Sequence, residues 1–483
     1  MYYIGIDLGT SAVKGILCDE NGAVLRENSK TYPVFYPCDG WSEQNPEDWF
    51  FAVNYLIDEL SDGVEEKIAA LSVGGQMHGL VVLDENDNVV RPCILWNDGR
   101  TEKQTRYLNE VVGKEFLSEN TANIAFAGFT APKLLWIEEN EPENFKKIRK
   151  IMLPKDYIAY RLTGSFTTDF SDASGTLFLD VKNKCWSQKM LDILHIDRLL
   201  LPKLKESYEV IGRIKDGFKL KGVLVAAGAG DNAAAAIGTG TVKSGATNIS
   251  LGTSGTVFTA CDKFSVDKNN SLHAFCHANG KYHLMGCILS AASANKWWIE
   301  DILHSKDYEG EVACVSEKTG ENGVYFLPYL MGERSPHNDV NARGAFIGMR
   351  LDTTRQELSL AVLEGVAFAL RDCVEAARSS GLKISAATLC GGGAKSPLWR
   401  RIIADVLDAE IIIPEVEQGP GYGAAMLAMV AAGEYSSVEE AVEKIVKTKE
   451  RVAPNKEKVA LYDKKYKVFK SLYPSLKEVF KTM

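Results

Sequence analysis

One carboxylate stands alone in a run of small residues. In "VLVAAGAGDNAAAAIGTG", residues 223–240, Asp231 is the sole acid, and the glycines and alanines around it let a ligand approach closely. A carboxylate so placed can take a proton from a substrate hydroxyl. The same residue types also cap helices: Asp231 or Asn232 would satisfy the free N–H groups at the start of a helix over 233–237. The segment alone leaves both readings open. A second candidate is His78 in "GQMHGLVVLD", an imidazole between glycines just before an apolar run. Neutral imidazole both donates and accepts, so His78 could hold a polar ligand, although a lone histidine in this setting also reads as a packed core residue.

Two Gly-Thr-Ser turns supply a third kind of chemistry. "IGIDLGTS" ends in Gly9-Thr10-Ser11, and "ATNISLGTSGTVFTACDKF" carries Gly252-Thr253-Ser254 at the equivalent place, with Ser250 where the first copy has Asp7. The backbone N–H groups of such turns point at whatever lies beyond the strand ends, and phosphate is the natural guest. Two of them facing across a cleft could grip a nucleotide's phosphate tail, with Asp7 placed to hold a hydrated Mg²⁺ and Lys14 to offset phosphate charge. A single turn of this kind is ordinary hairpin chemistry; its repetition makes the phosphate reading the better one.

These residues need strands to present them. "YIGIDLGTSAVKGILCDENGAVLRE" reads as strand, tight turn, strand, Glu-Asn-Gly turn, strand, with Asp7 at the end of the first strand. "IAALSVGGQ" at 68–76 and "SAATLCGGG" at 385–393 echo each other as buried strands ending in glycines. Two echoes in the same order predict a duplicated domain. "GGGAKS" at 391–396 is not a P-loop, because Leu389 and Ala394 occupy that motif's glycine positions; it reads as a glycine turn feeding the helix "PLWRRIIADVL". "HAFCHANGKYHL" gathers His273, Cys276, His277 and His283, but it reads as two strands joined by an Asn279-Gly280 turn, with His273, Phe275 and His277 on one face and Cys276 on the other. "DENDN" at 84–88 lacks the glycine and terminal glutamate of a calcium loop and reads as a polar turn.

A chain of 483 residues, 46% hydrophobic, can bury more than one core, and two or three domains are expected. The net charge of −9, with no basic arm, argues against nucleic acid as a partner. No stretch approaches the roughly 18 apolar residues of a membrane span, and the N-terminus lacks a basic leader, so no membrane partner and a cytoplasmic location are expected. Ten scattered cysteines without a Cys-x-x-Cys pair read mostly as buried thiols in a reduced compartment.

The chain resembles the FGGY carbohydrate kinases. The resemblance rests on "IGIDLGTS", "WSEQNPEDW", "GGQMHGLVVLD", "RPCILWNDGR", "GFTAPKLLW", "LPKDYIAYRLTG", "GDNAAAAIG", "SLGTSG", "FLPYLMGERSPHND" and "GAFIGMRLDTTRQELSLAVLEG", which extend from residue 4 through most of the chain. The last follows a family signature from Gly344 through Gly348 and Glu357 to Glu364. The resemblance implies an α/β fold of two actin-like, ribonuclease-H-type domains, a duplicated ATPase core with a cleft between its halves. Residues 1–245 would carry the sugar site and the base, residues 246–483 the nucleotide site. It implies Asp231 as general base; sugar contacts at Met77, His78, Asp231 and Asn232, with Trp96 and Asn97 supporting the same wall; and Asp7 as the magnesium-associated aspartate. Phosphate turns would fall at Thr10 and Gly252-Thr253, and the nucleoside near Gly392, Gly393 and Ser396. Ala229 and Ala235 stand where the family has glycine and would narrow the site. "GQMHG" with "LWNDGR" points to D-xylulose as the acceptor of a phosphoryl group from ATP and Mg²⁺. The alternatives are another ketopentose or polyol such as ribulose, or an actin- or chaperone-like ATPase without a sugar. A sugar and ATP are the expected partners, with homodimerisation left open.

Overall fold

The computed structural model describes residues 1–483. Seven strands make the first sheet: β1 (Tyr2–Leu8), β2 (Ala12–Asp19), β3 (Val24–Thr31), β4 (Ile68–Gly75), β5 (Val210–Arg213), β6 (Leu224–Ala226) and β7 (Ala229–Gly230). Their order is β5-β6-β4-β1-β2-β3, with β7 also on β4. Seven more make the second: β8 (Thr247–Leu251), β9 (Gly255–Cys261), β10 (His273–Cys276), β11 (Tyr282–Ile288), β12 (Ala386–Cys390), β13 (Glu410–Pro414) and β14 (Thr448–Val452), in the order β10-β11-β9-β8-β12-β13-β14.

The two sheets repeat one plan. β1 pairs antiparallel with β2 and parallel with β4, as β8 pairs antiparallel with β9 and parallel with β12. The pairing partners repeat but the register differs by one residue: Asp7 faces Lys14 on one side and Gly74 on the other, whereas Ser250 faces Thr256 and Cys390, each one position before the residue the sequence echoes would align. Period-2 alternation drives this packing. Ile4, Ile6 and Leu8 of β1 enter the core under the helix Pro46–Ser61, where Trp49, Val53 and Leu56 are fully buried, while Tyr3 faces the opposite core.

On that opposite side two helices cross: α1 (Asp231–Gly238), which follows β7, and α2 (Gly419–Ala431), which follows β13. Glycine permits the crossing. A Cβ on Gly423 would lie 1.8 Å from the Ala234 carbonyl oxygen, and one on Gly5 would lie 2.0 Å from that of Gly421. The C-terminal half thus packs α2 directly onto the first sheet and onto the helix that begins at Asp231. The remaining tail adds β14 to the second sheet and the helix Lys456–Phe480, whose buried Lys465 pairs with buried Glu364 at 2.6 Å. No helix is long and apolar enough to cross a membrane.

The histidine-rich segment forms the expected hairpin, β10 and β11; within it His273 stacks on Phe275, and His283 stacks on Phe258 of the neighbouring β9. Cys276 points away, its thiol near the Val181 carbonyl. All ten cysteines are free; five are buried, fewer than the sequence suggests, and Cys38, Cys185 and Cys314 are exposed.

Candidate active site

A cavity of ≈ 220 Å³ opens between the halves. Met77, His78, Trp96, Asp231 and Asn232 line it from the first half, and Ser254, Thr256, His273, Cys287 and Arg334 from the second. The structure therefore brings together the four residues assigned to sugar contacts and, from their supporting wall, Trp96.

Asp231 is not the helix cap that the sequence leaves open. The helix starts two residues earlier than 233, at Asp231 itself, and the cap position is Gly230. The Asp231 carboxylate accepts only from its neighbour: Oδ1 receives the Asn232 backbone N–H at 2.7 Å and its amide Nδ2 at 3.0 Å, and Oδ2 has no protein partner. Burial, followed by the nearby Asp7 charge, pushes its carboxyl up to about 7. Beneath it lies a buried polar chain. Lys155 Nζ pairs with Asp169 at 2.9 Å, Asp169 Oδ2 accepts from Ser171 Oγ and Ser207 Oγ, and Ser171 Oγ accepts the Gly230 N–H at 3.2 Å. Lys155 also backs Gly75, where any Cβ would be 2.8 Å from its own Cβ. One buried cation thus fixes both chain segments that enter the cavity, the one before Met77-His78 and the one before Asp231.

His78 is both packed and presented. Its Nδ1 bonds the Gly175 carbonyl at 2.8 Å, its ring stacks on Phe129 at 4.7 Å, and its backbone holds a φ of +70°. Burial, with the Lys133 and Arg334 charges, lowers its pKa to about 3, so the ring is neutral. With the Nδ1 proton given to Gly175, Nε2 is left as an acceptor. Gly175 is obligatory, since a Cβ there would be 2.3 Å from His78 Cε1. Asn232 Nδ2 approaches Met77 Sδ at 3.8 Å, and Met77 is otherwise enclosed by Gly230.

Trp96 is 42% exposed, and its Nε1 donates to Thr10 Oγ1 at 3.0 Å. Asn97 is exposed and stays out of the wall, contrary to expectation. The rest of "LWNDGR" is architectural: Arg100 grips Asp98 with Nε and Nη2 at 2.8 and 2.7 Å, Asp98 Oδ2 accepts the Ser42 N–H, and the guanidinium lies 3.8 Å from the Trp41 ring centroid. Ala229 and Ala235 do not line the cavity and so do not narrow it.

Both Gly-Thr-Ser turns leave two N–H groups free. Neither Thr10 and Ser11 in the first turn nor Thr253 and Ser254 in the second donate a backbone hydrogen bond to the protein. Backbone donors left this way need an acceptor from outside the chain. Thr10's hydroxyl donates to Gln76 Oε1 at 3.2 Å, so its backbone N–H is the group it has to offer. Gly252 has no positive φ, and a Cβ there would touch Ser254 O only at 3.6 Å, so glycine provides space in front of the turn rather than a special conformation.

A second cavity, ≈ 540 Å³, is lined by Thr253, Gly392, Gly393, Ser396 and Lys296 among others. Ser396 caps the helix Pro397–Leu407 by accepting the Trp399 N–H, as the glycine-turn reading expects. Thr10, Lys14 and Gly252 do not line this cavity. Lys14 is exposed on β2 directly opposite Asp7, whose carboxyl burial raises to about 6 against the pull of that lysine. Thr253 lines the larger cavity and Ser254 the smaller, so the second turn stands at their junction.

Residue types alone did not single out Phe126, Phe129, His273 and Arg334 as cavity residues. Alternation along β10 shows that His273 and Phe275 share a face, but nothing local shows that this face meets Phe126 and Phe129 of the other half, 5.0 and 5.4 Å from the His273 ring.

Models of the FGGY family of carbohydrate kinases match in both parts, the N-terminal domain over residues 2–238 and the C-terminal domain over 247–432. The chain is 42% identical to the xylulose kinase of Lactococcus lactis, over 93% of this chain and 91% of that one. The solved structure of ligand-bound xylulose kinase from Lactobacillus acidophilus superposes with a TM-score of 0.94 at 29% identity, covering 100% of this chain and 99% of that one. Gluconate kinase from the same organism gives 0.93 at 29%, covering 98% of each. With two sheets of one plan, a cavity between them and both domain models matched in order, the chain belongs to the FGGY family of carbohydrate kinases.

Proposed function

We propose that the chain transfers the γ-phosphoryl group of MgATP to the terminal hydroxyl of D-xylulose, giving D-xylulose 5-phosphate and ADP. The observation that carries this reading is the junction. The turn whose Thr253 and Ser254 N–H groups are free joins a large cavity suited to a nucleotide to a small one holding an otherwise unbonded carboxylate oxygen on Asp231. The sugar is held by His78, Met77, Asn232 and Trp96. Asp231 takes the hydroxyl proton as that oxygen forms its bond to the γ-phosphorus and the bridging oxygen leaves with ADP. A carboxyl raised to about 7 is a stronger base than an ordinary one and is still largely ionised slightly above neutrality. Gly392, Gly393 and Ser396 border the nucleoside, and Gly252-Thr253 with Thr10 meet the phosphates.

Asp7 fits a magnesium ion. Its oxygens are hard donors, and burial makes its charge costly without a cation. A bound Mg²⁺ supplies neutralisation of the charge on the transferring phosphoryl group. Lys14, opposite Asp7, adds positive charge on the same face.

Gluconate kinase superposes almost as well as xylulose kinase, so the acceptor must be decided by assay. An ADP-release screen of the purified protein against ketopentoses, polyols and gluconate should give the highest kcat/KM with D-xylulose. A preference for ribulose, glycerol or gluconate would reassign the substrate, and ATP turnover indifferent to sugar would reject the kinase reading.

A further inference from the structure

Arg334 is a half-buried cation without a counter-ion. The other arginines held in the fold have carboxylate partners: Arg91 has Glu43, Arg100 has Asp98, Arg371 has Asp463, Arg378 has Glu375 and Arg400 has Glu450. The Arg334 guanidinium makes no ion pair, lines the small cavity, and lies 5.5 Å from the centroid of Phe126, a residue of the opposite half.

Its placement is rigid because both neighbours are buried and bonded. Glu333 Oε1 accepts the N–H groups of Leu289 and Arg334 at 3.0 and 2.8 Å. Ser335 Oγ accepts the Cys287 N–H at 3.1 Å and donates to the Ser271 carbonyl at 2.8 Å. A long side chain anchored at its base in this way loses less freedom on meeting a ligand.

Phe126, over which the guanidinium lies, packs against His273 at 5.0 Å, so Arg334 stands at the histidine end of the cavity. Burial first, and then the Arg334 charge, keeps His273 neutral, and the same charge adds to the burial that keeps His78 neutral. A guanidinium only donates hydrogen bonds, and His78 Nε2 only accepts. Lining the same cavity, they complement a carbonyl oxygen next to a hydroxyl, which is the end of a ketose opposite its terminal hydroxyl. We propose that Arg334 recognises the carbonyl of the sugar and sets the preference for a ketose over the corresponding polyol. This inference rests on the kinase reading above and deepens it.

The test compares D-xylulose with xylitol, which differs in having a hydroxyl in place of that carbonyl. Calorimetric Kd values for both sugars, and kcat/KM for D-xylulose, are measured on the parent, Arg334→Gln and Arg334→Lys. Arg334→Gln should lose roughly 10- to 100-fold in kcat/KM and in affinity for D-xylulose, the range for a hydrogen bond to a charged group, and less than about three-fold in affinity for xylitol. KM for ATP and the melting temperature should hold, and Arg334→Lys should recover part of the loss. Equal losses for the two sugars, or no loss for D-xylulose, would overturn the assignment while leaving the kinase reading in place. A parent that does not discriminate between the two sugars would remove its premise.

Discussion

Replacing Asp231 with asparagine separates chemistry from architecture at one atom. Gly230 holds the cap position, and asparagine keeps an Oδ1 acceptor for the Asn232 N–H, so the first turn of α1 retains its bonds. The amide cannot take a proton, and losing a general base removes about 10²–10⁴ in rate. Stability should move the other way. The parent carboxyl is raised from 3.8 to about 7, so the folded state binds more protons than the unfolded one between those values. The parent therefore loses stability as pH rises through that window, by at most roughly 4 kcal/mol at pH 8. The part realised is smaller because the carboxylate faces the cavity. A coupled ADP-release assay and thermal melts at pH 4 and pH 8 test both halves. Asp231→Asn should have a collapsed kcat, unchanged ATP affinity, and a melting temperature at pH 8 equal to or above the parent's, with the difference closing by pH 4. In the parent, kcat/KM should fall tenfold per pH unit below about 7. Near-parental kcat in the variant would remove Asp231 from the mechanism.

At Gly392 a Cβ would meet nothing within 4 Å, yet the residue borders the larger cavity proposed to hold the nucleotide, so Gly392→Val should raise KM for ATP at least several-fold with an unchanged melting temperature; a normal KM would move the nucleoside elsewhere. His283 is buried, makes no well-aligned hydrogen bond through either ring nitrogen, and stacks on Phe258 at 3.9 Å. His283→Phe keeps the stack and relieves unpaired polar atoms worth about 1–3 kcal/mol, so thermal melts should show it as stable as the parent or more so. Burial holds the His283 pKa well below 6.5, so the folded parent binds fewer protons and loses stability as pH falls below 6.5, and the variant should show a shallower decline. Gly423→Ala forces a methyl into the Ala234 carbonyl across the α1–α2 crossing and should cost at least the 1–3 kcal/mol or so of ordinary overpacking, seen as a lowered denaturation midpoint.

The fold was legible where periodicity and turn chemistry are local. The Gly-Thr-Ser turns, the Asn279-Gly280 hairpin and the paired β1/β8 and β4/β12 strands all follow from alternation bounded by glycine, and the echo between copies gave the duplication. The cavity residues of the first half were legible because Asp231 and His78 are polar residues among small ones, which leave space for a ligand; the structure adds that close packing, such as Lys155 behind Gly75, also requires some of those glycines. What stayed hidden is contact across the halves. Arg334 lies in a polar loop more than a hundred residues from its ring partner Phe126, and no local pattern announces that pairing. The Lys155–Asp169 pair is hidden for the same reason: a lysine in a helix reads as a solvated face until its stem is found beneath Gly75. The helix start at Asp231 was missed by two residues because aspartate and asparagine serve as well in the first turn as at the cap, and the tertiary contact of Gly230 with Ser171 decided between them.

Duplication gives each half the same two positions at its cleft face, the end of the first strand and the start of the crossing helix, and the halves fill them differently. The first half has Asp7 and Asp231; at the equivalent places the second has Ser250 and Gly419. Triphosphate is strongly anionic, so carboxylates at all four positions would repel it from every side. The second half instead offers the free N–H groups of Thr253 and Ser254, which can meet phosphate without a charge of their own, beside a cavity wall that includes Lys296 and Lys395. On the proposed reading the acids of the first half are then left to the two tasks that need them, holding a cation and receiving a proton. Asp7 lies against the first turn of α2, with its Cβ 3.8 Å from where a Cβ on Gly421 would stand. The N-terminus of that 13-residue helix carries partial positive charge, so the second half helps to stabilise the carboxylate of the first. The glycines that let α1 and α2 touch thus hold the acid-bearing half and the half proposed to meet the phosphates close enough to share one reaction.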